Sequence, residues 1–165
     1  MSKLNQDPLV SSSPESSLST TNKKQRSSCI VELKDEQGQV CILISKQVGD
    51  RFAMVPGGGV DQGEAPIVSA IRELKEESDL ACKAVCKLFE HESEFTFHHV
   101  FLLIADGQDF KPCDDVESLW LMPLTECEKL EEHPELSRST KIVLKRYFQW
   151  RSANQKMLQL LMSCP

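Results

Sequence analysis

Residues 58–80 read GGVDQGEAPIVSAIRELKEESDL, a glycine-rich turn running into a segment of helical period. With the residues before it, Pro56-Gly57-Gly58-Gly59 is expected to be neither helix nor regular strand. Consecutive glycines permit backbone angles that other residues resist, and they let a ligand approach the main chain closely. Pro66 suits the first turn of a helix, where its missing N–H costs nothing. Ile67, Ala70, Ile71 and Leu74 recur at i, i+3, i+4 and i+7, which predicts an amphipathic helix with one apolar stripe. Glu73, Glu76 and Glu77 fall on a different face, and Arg72 lies one turn before Glu76, close enough to pair with it. Like charges at this spacing destabilise a helix by roughly a few tenths of a kcal/mol per pair. A cluster of oxygen-only ligands suits a hard divalent cation, Mg2+ or Mn2+. Taken alone, the helix is equally readable as a solvated acidic face.

The spacing of the whole stretch resembles the signature of the Nudix (MutT-like) hydrolase superfamily, G-x5-E-x7-R-E-U-x-E-E-x-G-U with U aliphatic. Gly58, Glu64, Arg72, Glu73, Leu74, Glu76, Glu77 and Leu80 fit it. Asp79 stands where the family has Gly. That residue ends the helix in a left-handed conformation, which Asp tolerates better than most. The resemblance implies an α/β/α sandwich, a mixed sheet flanked by helices. It implies that Glu73, Glu76 and Glu77 hold one or more Mg2+, with Mn2+ as a substitute and a Gly57 or Gly58 carbonyl completing the site. Glu64 and Arg72 are then structural, tying loop to helix. Glu76 or Glu73 is the expected proton acceptor, with Asp114 or Asp115 as the alternative and Glu92 and Glu94 behind them. A later stretch, WLMPLTE, resembles the family's region in which a Trp precedes a carboxylate.

Composition bounds the class. The 165 residues suffice for one domain, and 40 % hydrophobic with 27 % charged residues is ordinary for a soluble globular protein. Lys3, Lys23, Lys24 and Arg26 against Asp7 and Glu15 leave residues 1–27 at +2, so the rest of the −6 chain carries −8. That balance disfavours a basic grip on nucleic acid, and with it an enzyme acting on RNA 5′ ends. Seven cysteines without zinc spacing read as reduced, mostly buried thiols of a cytoplasmic protein. No apolar run reaches the length of a membrane span, and a secretory signal is lacking.

Residues 1–27, polar and aperiodic, are expected to form a disordered tail, with the KKQR run a solvated linker, and 28–165 to form the Nudix domain. Cys29–Leu33 and Val40–Ile44 are expected strands joined by a turn at Asp35-Glu36-Gln37-Gly38. Phe52–Val55 is a short expected strand, followed after the helix by Ala81–Glu90, Phe95–Ala105 and Val116–Met122, the last with Trp120 as core anchor. Pro134 to Trp150 is a second expected helix, and Gln155–Met162 either continues it or stands apart. His98 and His99 point to opposite faces of a strand, so one of them can line a pocket. His91 and His133 are expected in exposed loops. Phe95, Phe97, Phe101 and Trp120 suit either core packing or stacking on a base. The expected reaction is metal-dependent pyrophosphohydrolysis of a nucleoside diphosphate linked to another moiety, by default a (deoxy)nucleoside triphosphate. A nucleotide-sensing module without turnover is the reading from another class. A homodimer is compatible with all of this.

Overall fold

The computed structural model describes residues 22–163 and 165. The elements are β1 (Lys24–Lys34), β2 (Val40–Gln47), β3 (Gly57–Gly59), α1 (Pro66–Ser78), β4 (Ala81–Glu92), β5 (Thr96–Asp106), β6 (Val116–Pro123), a 3-10 segment (Leu124–Glu132), α2 (Arg138–Ala153) and α3 (Gln155–Ser163). The sheet runs β4-β5-β1-β2-β6, and β3 also pairs with β1. Only the β1–β5 ladder is parallel among these pairs, so the sheet is mixed, as expected.

The central strands read as continuous apolar runs because both of their faces are covered. Cys29, Val31, Leu33, Leu43, Phe101 and Leu103 pack with Ala70, Leu74 and Leu80 on the α1 side. The alternate residues Ile30, Ile42, Ile44, Val100 and Leu102 pack with Val143, Leu144, Tyr147 and Leu158 on the α2–α3 side. This period-two split produces the three-layer α/β/α sandwich.

Several boundaries differ from the sequence reading. β1 begins at Lys24, so Lys24–Ser27 belong to the sheet and not to a tail; residues 1–21 lie outside the described residues. The polar run KQRS was unreadable as strand because its ladder partners are β5 and the glycines, neither of which requires an apolar side chain. Gly57–Gly59 does form strand β3, antiparallel to β1. The close approach excludes any larger residue at Gly57, where φ is 142° and a Cβ would stand 2.0 Å from the Ser27 carbonyl oxygen. Phe52–Val55 makes only isolated bridges, Ser45 with Met54 and Ala53 with Leu136. α2 starts at Arg138 rather than Pro134, capped by the Ser137 hydroxyl accepting from the Thr140 N–H, and a 3-10 segment not foreseen precedes it. α3 is separate, after a break at Asn154. The uneven alternation of β4 reflects two register shifts against β5.

The stripe predicted for α1 is rotated. Ile67 and Ile71 are exposed, and the inward face is Ser69, Ala70, Leu74, Glu77 and Ser78. Small residues let the helix lie close against the sheet: the Ser27 hydroxyl donates to Pro66 O, Ser69 to Gly59 O, and Cys29 Sγ to Ala70 O. The rotation carries Glu77 into the interior. Trp120 is half-buried on edge strand β6. Six described cysteines are free, and only Cys29, Cys41 and Cys127 are fully buried, so burial of the thiols is less general than expected.

Candidate active site

One edge of β1 is shared by two partners, the other being taken by β5. Its first half pairs with β3 and its last residues with β2, so the glycine strand enters the sheet beside β2 and α1 starts directly above it. Pro66 opens α1, and Asp79 closes it at φ 61°, donating its N–H to Lys75 O. The left-handed termination therefore occurs as expected, and Asp79 also pairs with Lys75 and Lys111.

Arg72 is the hub of the loop–helix junction. Its Nε and Nη2 donate to the two oxygens of Glu64 at 2.9 and 3.0 Å, and Nη2 reaches Gly59 O at 3.3 Å. Nη1 donates to Glu73 Oε1 and Glu76 Oε2, each at 2.9 Å. Glu64 in turn accepts from the Asp61 N–H, and the Arg72 fork holds its carboxyl below the usual range. Such a two-point fork fixes direction as well as distance.

Glu73 is pressed against the glycines: a Cβ on Gly58 would lie 2.2 Å from its Oε1. Burial raises its proton affinity, opposed chiefly by Arg72. Glu77 is only 4 % exposed. Its Oε1 accepts from Gln47 Nε2 at 2.8 Å and from the Gly57 N–H at 3.4 Å. Oε2 is buried with no hydrogen-bond partner, and so is Ser45 Oγ. Burial pushes Glu77 up to about 7, against the opposing pull of nearby Ser45, Arg26 and the Gly57 N–H. An acid of this kind, buried and incompletely satisfied beside a glycine loop, is a functional-site candidate.

Among the described residues, no three carboxylate, imidazole or thiol side chains form a ready-made metal cage. Arg72, not a shared ligand, gathers Glu73 and Glu76 in this structure. The unpartnered Glu77 oxygen, the side-chain-free cradle at Gly58 and the all-oxygen donor set nevertheless fit a hard divalent cation. The Gly57 carbonyl accepts from Arg26 Nη2 at 2.8 Å.

Arg26 is the site residue the sequence reading missed. It was placed in the tail, three residues ahead of the first apolar run, yet β1 carries it to Gly57, and its charge acts on both Glu73 and Glu77. Its only advance signal was the period-two relation to Ser28 and Ile30. His98 pairs through Nδ1 with the Ser28 hydroxyl at 3.1 Å and is buried. Burial, then the charges of Arg26, His91 and His99, push it down to about 4. His91 is not in a loop but on β4, its ring 5.6 Å from that of His98. His133 is half-buried and pairs with Glu135. Asp114 and Asp115 are exposed, and neither is among the carboxylates that Arg72 gathers. Their loop is nonetheless anchored on that helix, by Lys111 N–H to Ser78 O and Cys113 N–H to Glu77 O. Glu92 pairs with Lys23.

The sequence profile of the NUDIX domain matches residues 23–142. The chain belongs to the Nudix family. A nudix hydrolase family member from Chromobacterium violaceum is similar at 27 % identity and a TM-score of 0.71, over 86 % of this chain and 90 % of that one. The Caenorhabditis elegans Ap4A hydrolase shares the fold at 16 % identity and a TM-score of 0.58, over 79 % and 98 % of the two chains. So does the NUDIX domain of Shewanella oneidensis NrtR complexed with ADP ribose, at 14 %, 0.63, 77 % and 87 %. As a Nudix hydrolase, the protein acts on acid anhydrides in phosphorus-containing compounds. No described helix is long and apolar enough to cross a membrane.

Proposed function

We propose that the protein is a Mg2+-dependent pyrophosphohydrolase of the cytoplasm. Its substrate is a nucleoside diphosphate linked to another moiety, by default a (deoxy)nucleoside triphosphate. The observation that carries this reading is Glu77, buried beside Gly57 with one oxygen unpartnered. Glu73, Glu76 and Glu77 are the residues to hold Mg2+, or Mn2+ in its place, with the Gly57 or Gly58 carbonyl beside them. When bound, the cation neutralises the diphosphate and lowers the pKa of a coordinated water.

The remaining roles belong to the chain. Glu64 and Arg72 hold the glycine strand against α1, so the carboxylates keep their place relative to the main chain that meets the diphosphate. Glu73, whose proton affinity burial raises, is the first choice of general base, with Glu76 as the alternative. Asp114 and Asp115 lie on a loop hydrogen-bonded to the end of α1, and loop closure is what would bring them into the same role. A panel of nucleoside triphosphates, ADP-ribose, dinucleoside polyphosphates and triphosphorylated RNA, assayed for phosphate and pyrophosphate release with and without Mg2+, tests the reading. Mg2+-dependent turnover of a nucleotide supports it. Binding without turnover of any member would move the protein to the sensing class, and preference for RNA would overturn the small-molecule assignment.

A further inference from the structure

On the α2 side of β1, a cavity of about 250 Å3 opens beside Gly59. Its charged lining is Lys24 and Arg26; His98, Ser137 and Ser139 add polar groups, and no Asp or Glu among the described residues lines it. This is a departure for a chain of net charge −6. Arg26 spends one N–H on Gly57 O, its only hydrogen bond among the described residues, and a guanidinium has five N–H donors. Lys24 crosses the same glycines, with its Cε 3.9 Å from where a Cβ on Gly59 would stand. His98 is neutral at physiological pH and offers a ring nitrogen without adding charge. Ser137 and Ser139 sit at the start of α2, where the helix dipole also favours an anion. A second cavity of about 440 Å3 shares Ser93 and Ser139 with the first and is lined by Phe95, Arg138, Glu92 and Glu94, so it suits an organic group and not a further phosphate.

The geometry points to an anion subsite formed by Lys24, Arg26 and His98, which takes a phosphate of the substrate lying outside the metal-bound pair. This deepens the pyrophosphohydrolase reading and rests on it for the word substrate. It assigns the preferred substrate class as one with a further phosphate, a nucleoside triphosphate or polyphosphate, over a diphosphate linked to a neutral sugar. Arg26 joins the cavity to the acid cluster: it lines the cavity and donates to the carbonyl of Gly57, whose N–H reaches Glu77. It is therefore placed to align a continuous phosphate chain. A lysine and an arginine there also compensate the extra negative charge that such a chain brings close to Glu73 and Glu77.

The test is calorimetric titration of inorganic phosphate into metal-free wild type, Lys24→Gln and Arg26→Lys proteins, with thermal melts to establish that each variant is folded. Lys24→Gln leaves the Arg26–Gly57 contact in place, so it separates loss of binding from loss of loop structure. The expected result is one saturable site in the wild type, weakened about tenfold by Lys24→Gln and by a similar or larger factor in Arg26→Lys. Absence of saturable binding in the wild type, or equal affinity in a folded Lys24→Gln protein, overturns the subsite. With Mg2+ and a nucleoside triphosphate, Lys24→Gln should raise KM about tenfold with a smaller change in kcat. Phosphate binding without any nucleotide turnover would sink the hydrolase reading and leave the subsite standing.

Discussion

Two glutamates are buried on opposite faces of the sheet, and their surroundings differ in one respect. Glu32, 8 % exposed under α2, accepts from Tyr147 Oη and Arg151 Nε on Oε1 and from Arg151 Nη2 on Oε2. Glu77, 4 % exposed under the glycine strand, has Gln47 and a long backbone contact on one oxygen and no hydrogen bond on the other, although the Ser45 hydroxyl is near enough to favour its charge. The first acid is neutralised within the fold, which makes it structural. The second accepts hydrogen bonds from neutral groups only, with the Arg26 charge nearby but spent on Gly57 O, so its charge is left for a ligand to balance.

Substitutions at the two acids should therefore separate activity from stability. The largest expected effect is on turnover by Glu77→Gln, a loss of a hundredfold or more at saturating nucleotide, measured as Mg2+-dependent phosphate or pyrophosphate release. Activity close to wild type would remove Glu77 from the site. Next comes Arg151→Ala, which strands the Glu32 charge and should cost about 3 kcal/mol of stability by chemical denaturation. Its kcat should change little in the protein that remains folded. A neutral effect on stability would make the Glu32 cluster as loosely held as the exposed pairs.

His98 sharpens the contrast by pH. Its folded pKa, about 4, lies below the unfolded value of 6.5. The folded state thus binds fewer protons across that window, so stability rises with pH between them, is fully present above about 6.5 and is lost as pH falls toward 4. His98→Asn should flatten the dependence of melting temperature on pH in that window, removing a swing on the order of 2 kcal/mol. An unchanged slope would assign it to other groups. The smallest effect is expected for Asp79→Gly. Removing the left-handed strain should outweigh two exposed ion pairs, giving a slight rise in melting temperature that grows with salt as those pairs are screened. A fall at low salt that vanishes at high salt would show that the Asp79 pairs dominate, and a fall that persists at high salt would show that the larger freedom of the unfolded glycine chain does.

The sandwich was legible in the sequence because its strands are apolar on both faces and its turns carry Gly38 and the Asp35 side chain, which accepts from Gln37 and Gln39 N–H. The carboxylates of α1 were legible from spacing, and the Glu64–Arg72 tie from the family resemblance. The helix rotation was not. Periodicity finds an apolar stripe, whereas the glycine strand selects small residues and drives Ile67 and Ile71 outward. Arg26 was hidden for a related reason: its strand is polar because it pairs with bare glycine backbone. The pocket side of the site, Lys24, Arg26 and His98, comes together only through the parallel β1–β5 ladder, where Arg26 stands opposite His98 across 72 residues of sequence. No local pattern reports such a pairing.

The central claim is that Glu77 is a buried acid whose missing partner is a cation. Mg2+ titration by calorimetry, on wild type and Glu77→Gln, tests it most directly when paired with metal-free melts of both proteins. The account predicts Mg2+ affinity at least tenfold weaker in Glu77→Gln, together with a metal-free melting temperature equal to or above that of the wild type. Equal Mg2+ affinity in the two proteins, or a metal-free Glu77→Gln protein that melts several degrees lower, would contradict it.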